Sequence, residues 1–96
     1  MSIEYKVTAN NWSYLSEKLE RSILDNPFFE KQNNISGNSW FEFRAKENIY
    51  EMPDIGILIK PDHLYISRYD LKDTWFMLEN IHAVFEESGD YEVEEL

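Results

Sequence analysis

Two histidines, His63 and His82, are the imidazole groups this chain could use as general bases, and it contains no cysteine. A Ser-His-Asp or Cys-His device needs a nucleophile held against a base that a third group orients. His63 follows Asp62 directly, in a Pro61-Asp62-His63 stretch whose composition marks a turn, so its plain reading is a solvated pair on the surface. Glycines stand alone at positions 37, 56 and 89. That isolation leaves no nucleophile elbow, dinucleotide fingerprint or phosphate loop. His82 comes three residues after Glu79 and four before Glu86, a spacing that sets all three on one helical face. Glu-x-x-His is half of a carboxylate-bridged di-iron site, which also requires a second such pair and two further glutamates. The chain has no second pair, and His82 reads as a surface histidine among acids. With 19 Asp and Glu residues, carboxylate pairs of glycosidase type arise by chance and carry no specificity. A chain this short also has little room for a substrate pocket of about 300 Å³ or more. The expectation is a non-enzyme without catalytic residues, cofactor or metal.

Charge narrows the partners. The formal net charge is −10, whereas contact with phosphates is built on Lys and Arg, so direct nucleic-acid binding is disfavoured. The absence of cysteine fits a reducing compartment. The start, Met1-Ser2-Ile3-Glu4, has no apolar leader core, and no run approaches the roughly 18 apolar residues of a membrane span. Cytoplasmic residence without membrane contact is therefore expected. The sequons at Asn11 and Asn34 carry no weight without a leader.

Hydrophobic residues make up 43% of the chain, enough for one compact core, so residues 1–96 are expected to form a single domain with a possible acidic tail at 89–96. Ile3, Tyr5 and Val7 alternate with polar residues and predict a strand over about 3–8. Trp12, Leu15, Leu19 and Ile23 recur at helical spacing and predict a helix over about 11–24, with Asn10 or Asn11 as N-cap and Pro27 beyond its end. Residues 25–39 carry Pro27, Gly37 and many amides, and read as the longest loop. Phe41, Phe43 and Ala45 alternate with Trp40, Glu42 and Arg44 in a second strand. Residues 55–60 and 64–69 form a hairpin across Pro61-Asp62-His63, and their apolar character on both faces places them centrally in the sheet. Trp75, Leu78, Ile81, Val84 and Phe85 predict a second helix over about 74–88, capped by Asp73 or Thr74 and ended by Gly89. Tyr91-Glu92-Val93 forms either an edge strand or part of an acidic tail. The class is α+β, a mostly antiparallel sheet of four or five strands with two helices on one face, in the order β-α-β-β-β-α-(β).

The acids are unevenly spread. Residues 73–96 hold eight of the 19 acids and none of the nine Lys and Arg residues. Glu79, Glu86 and Glu87 sit on the second helix, followed by Asp90, Glu92, Glu94 and Glu95. Charges this close together project a field over about 8 Å at 0.15 M salt, which steers a basic protein onto the surface. Trp40, Tyr65 and Tyr69 exceed what so small a core can absorb, and aromatic residues are favoured at protein interfaces. Acidic stretch, surplus aromatics and absent catalytic motifs together resemble, in general profile, the bacterial immunity proteins paired with toxins of contact-dependent or polymorphic systems. That resemblance implies a small inhibitor of a basic, nuclease-type toxin, with Glu79, Glu86, Glu87, Asp90, Glu92, Glu94, Glu95, Trp40, Tyr65 and Tyr69 in the contact. Two other readings fit the same features. One is a phage or plasmid protein mimicking nucleic-acid charge to block a host enzyme; the other is a small-molecule binder with a pocket around His63 or His82. Oligomeric state is left open by the sequence.

Overall fold

The computed structural model describes residues 2–69 and 74–96. Its elements run β1 (Ile3–Ala9), α1 (Trp12–Leu24), β2 (Phe29–Ile35), β3 (Asn38–Phe43), β4 (Ile55–Ile59), β5 (Leu64–Arg68), a 3₁₀ turn (Trp75–Leu78), α2 (Glu79–Ser88) and β6 (Tyr91–Glu95). All pairings are antiparallel, in the spatial order β2-β3-β4-β5-β1-β6. The α+β class stands as expected, and the apolar strands β4 and β5 are central.

Among the described residues the sheet has six strands, because the expected loop over 25–39 is mostly a hairpin. Residues 30–35 are exposed, so β2 shows no apolar alternation from which a strand could be read. Its register is set by a two-residue turn: Ser36 and Gly37 both take positive φ, 50° and 82°, as a tight hairpin turn of this kind requires. Asn34 Oδ1 accepts a hydrogen bond from Gly37 N at 3.0 Å. At the chain's end, Tyr91–Glu95 pairs along β1 as an ordered edge strand.

Both helices pack on one sheet face. Phe43 lies across from Ile55, and Phe41, Ile57 and Ile66 follow one another across β3, β4 and β5. Against them pack Leu15, Leu19 and Ile23 of α1 and Ile81 and Phe85 of α2. Each such buried side chain gains about 1.5–3 kcal/mol over an exposed one, which makes this layer the main stabilising element. Helix α1 starts after Asn11, which adopts a left-handed φ of 57° and makes no side-chain capping bond. The start is tied down instead by Trp12, whose indole Nε1 donates to the Lys60 carbonyl at 2.8 Å.

The second helical segment is not one continuous α-helix from residue 74. Trp75–Leu78 is a 3₁₀ turn, and Thr74 before it makes no capping bond; Asp73, the other expected cap, lies outside the described residues. This turn is positioned by tertiary contacts. Buried Asn26 donates through Nδ2 to the Met77 carbonyl and to Asn80 Oδ1, both at 2.7 Å, while its Oδ1 accepts from Phe28 N at 2.8 Å. Asn80 in turn donates to the Ser22 carbonyl at 2.6 Å. Gly89 follows α2 with φ 98°, a backbone setting that favours glycine.

Candidate protein-binding surface

With period two along each strand, the residues that alternate with the core must face the other side of the sheet. Among the described residues, no helix packs there. Register carries one row across the whole sheet on that side: Asn33, Trp40, Leu58, Tyr65, Lys6 and Glu94. The neighbouring row runs Lys31, Glu42, Gly56, Ser67 and Glu4. Leu58 is flanked by Trp40 and Tyr65 and keeps only 8% of its surface exposed.

Both aromatics are held in place. The Trp40 indole packs against Gly56, so close that a Cβ there would fall 2.1 Å from its Cζ2 and Cη2 atoms. Glycine in a strand of isoleucines and leucines is a signal of such an approach. Trp40 Nε1 and Asn33 Nδ2 both donate to Glu42 Oε2 at 3.2 Å. The Tyr65 hydroxyl donates to Glu4 Oε1. Burial, reinforced by the adjacent Glu4 carboxylate, pushes the Tyr65 phenol up to about 12. Half-buried Tyr69, just past β5, borders an open cleft of about 560 Å³ shared with Met52, Asp54 and Phe76.

The acidic residues do not form one continuous face. Glu92 and Glu94 lie opposite Thr8 and Lys6 on the open side of the sheet, while Tyr91, Val93 and Glu95 alternate onto the helix side. Glu79, Glu86, Glu87 and Asp90 are exposed on α2 and the turn after it. Glu86 Oε1 accepts the Tyr91 hydroxyl at 2.6 Å and faces His82 Nε2 at 3.0 Å; the bond to Glu86 raises the Tyr91 phenol above its ordinary value. Of the residues singled out from sequence, the fold therefore joins Trp40, Tyr65, Glu92 and Glu94 on one face and sets the others apart. Leu58, Gly56, Glu4, Glu42, Lys6 and Lys31 lie on that face as well.

An apolar groove of about 350 Å³ runs between α2 and the β1–β6 margin, floored by Val7, Ile66, Phe85 and Val93, with Glu79 and His82 beside them. The groove is open to one side and is not a deep pocket. Width explains it: six strands at about 4.8 Å spacing span roughly 24 Å between the outer strand axes, and two helices of about 10 Å each fall short of the last strand. Val93 is accordingly 57% exposed.

His82 Nε2 also lies 3.1 Å from the Tyr91 hydroxyl, which donates to Glu86. His63 Nδ1 meets Asp62 Oδ1 at 2.6 Å in the β4–β5 turn, and that bond holds the Asp62 carboxyl below its usual range. Among the described residues, no group of three or more His, Cys, Asp and Glu side chains could hold a metal ion, and no helix is long and apolar enough to cross a membrane. Comparison of the chain with protein-family models, curated proteins and solved structures finds no match.

Proposed function

We propose that this protein is a small acidic inhibitor of the immunity-protein type, residing in the cytoplasm, that binds a basic, nuclease-type toxin and masks its cationic substrate surface. The observation that carries this reading is the uncovered sheet face, where Trp40, Leu58 and Tyr65 stand in one row beside the carboxylates of Glu4, Glu42 and Glu94. Large aromatics that are already oriented lose little side-chain freedom on binding, and a desolvated aromatic centre within a charged rim is the usual anatomy of a tight interface. Hydrogen bonds to Glu42 and Glu4 supply that orientation here. Excess acid along α2 and β6 adds long-range attraction that raises the association rate toward a basic surface and makes it salt-sensitive.

The test is capture on immobilised protein from a lysate of the producing cells, with elution by rising salt and assay of the captured protein's nuclease activity with and without the inhibitor. A single basic protein that elutes late and is silenced by the chain is the expected result. Retention of several unrelated nucleic-acid enzymes, displaced by duplex DNA, favours charge mimicry instead. Binding that persists unchanged after Glu86, Glu87, Asp90, Glu92, Glu94 and Glu95 are all replaced by Lys contradicts the electrostatic mechanism.

A further inference from the structure

The two edges of the sheet are built differently. β2 carries a register irregularity between Phe29 and Lys31 and an amide-rich run, Gln32-Asn33-Asn34. Bulges and edge lysines discourage pairing with another chain. β6, Tyr-Glu-Val-Glu-Glu, pairs in unbroken register with β1 and has no lysine, proline or bulge.

The register also says which backbone groups β6 leaves open. Leu96 N donates to the Glu4 carbonyl at 2.8 Å, which makes Glu4 and Leu96 a hydrogen-bonded pair. Pairs alternate along an antiparallel ladder, so Glu92 and Glu94 also turn their backbone groups toward β1. Tyr91, Val93 and Glu95 turn theirs outward. Among the described residues, β6 pairs with no strand other than β1. The outward residues send their side chains to the helix side, where Tyr91 and Val93 line the apolar groove. Glu92 and Glu94 send theirs to the open sheet face.

We infer that β6 is a docking edge for an extended segment of the basic partner, which adds as a seventh, antiparallel strand with apolar residues toward the groove and Lys or Arg toward Glu92 and Glu94. This rests on the reading of the protein as a binder of basic proteins, and adds to it the mode of recognition. Backbone bonds to Tyr91, Val93 and Glu95 supply affinity, and alternate side chains supply selection, as in strand addition generally. The charge pattern chooses the occupant. A second copy pairing antiparallel through β6 sets Glu92 and Glu94 against Glu92 and Glu94, and like charges directly opposite are destabilising. A strand alternating basic and apolar residues meets carboxylates on one face and the groove on the other.

The probe is the nine-residue peptide of alternating Lys and Val, beginning and ending with Lys. It is compared with the same peptide N-methylated on its valines, which removes the amides that face β6, and with a block peptide of five Lys followed by four Val. The alternating peptide is expected to slow amide exchange at Tyr91, Val93 and Glu95 and to bind at least about tenfold more tightly than either control, since several backbone hydrogen bonds are at stake. Val93→Pro removes one outward N–H and no bond to β1, and should weaken the alternating peptide alone. The N-methylated peptide gives the same test on the unaltered protein, should the proline variant not fold. Equal, salt-sensitive binding of all three peptides overturns the edge proposal and leaves the acidic-surface reading standing. Absence of binding by any of them at low salt overturns both.

Discussion

Replacing Gly56 by alanine isolates the contact that holds Trp40 on the open face. Gly56 is absent from the positive-φ positions, so its backbone accepts alanine. On unfolded-chain entropy alone, that change stabilises a protein by about 0.4–1 kcal/mol. Here the added Cβ falls 2.1 Å from Trp40 Cζ2 and Cη2, against an ordinary carbon contact of about 3.5–4.0 Å, so the indole must retreat by roughly 1.5 Å. Overpacking of this kind costs about 1–3 kcal/mol. The clash outweighs the entropy gain, and Gly56→Ala should destabilise by about 1–2 kcal/mol, lowering the Tm by several degrees in a domain of this size. In a Trp40→Ala background the sign should reverse, to a gain of about 0.4–1 kcal/mol. Urea unfolding followed by circular dichroism on all four proteins of the cycle gives a coupling expected at about 1–3 kcal/mol. An equal effect of Gly56→Ala in both backgrounds refutes the account of how Trp40 is held.

Other outcomes can be checked alongside it. Asn26→Ala strips partners from the buried Met77 carbonyl and Phe28 amide, and should cost about 2–4 kcal/mol in urea unfolding, because each orphaned buried polar group costs about 1–3 kcal/mol. The Tyr65 phenol is raised to about 12 in the folded protein, so the folded state holds that proton more tightly than the unfolded state, where a phenol titrates near 10. The corresponding stability is present below about pH 10 and lost between about pH 10 and 12. The urea midpoint should therefore fall more steeply over that window in the wild type than in Tyr65→Phe. The double change Glu92→Lys with Glu94→Lys should slow association with the basic partner about tenfold or more at 50 mM salt, and the difference should shrink at 0.5 M, as measured by stopped-flow mixing.

Where one face of an element is buried, its existence is legible in the sequence, though β3 ends at Phe43 and not beyond Ala45. Period-two alternation marked β1 and β3, helical spacing marked α1, and apolar character on both faces placed β4 and β5 centrally. β2 escaped notice because its residues from Glu30 to Ile35 are exposed. Nothing in its side chains records the strand except Ser36-Gly37, two residues suited to a hairpin turn. The break between the 3₁₀ turn and α2 was equally invisible, since it is associated with Asn26, about 50 residues away in the chain.

The candidate surface was legible in part. Trp40 and Tyr65 stood out as surplus aromatics, and register does join them across Leu58. The acidic run looked continuous in sequence, yet a strand alternates its faces, so Glu92 and Glu94 part from Glu95. Glu4 and Lys6 come from the other end of the chain, and only the pairing of β1 between β5 and β6 brings them to the site.

The central claim, that the open sheet face and the acidic β6 margin bind a basic protein, is tested most directly by parallel capture from one lysate on three columns. One carries the wild-type chain, one the Trp40→Ala/Tyr65→Ala double variant, and one the Glu92→Lys/Glu94→Lys double variant, each first shown by circular dichroism to be folded. The account predicts a basic protein retained by the wild type at 0.15 M salt and lost from both variant columns. The same proteins on all three columns, or none on the wild type, would contradict it.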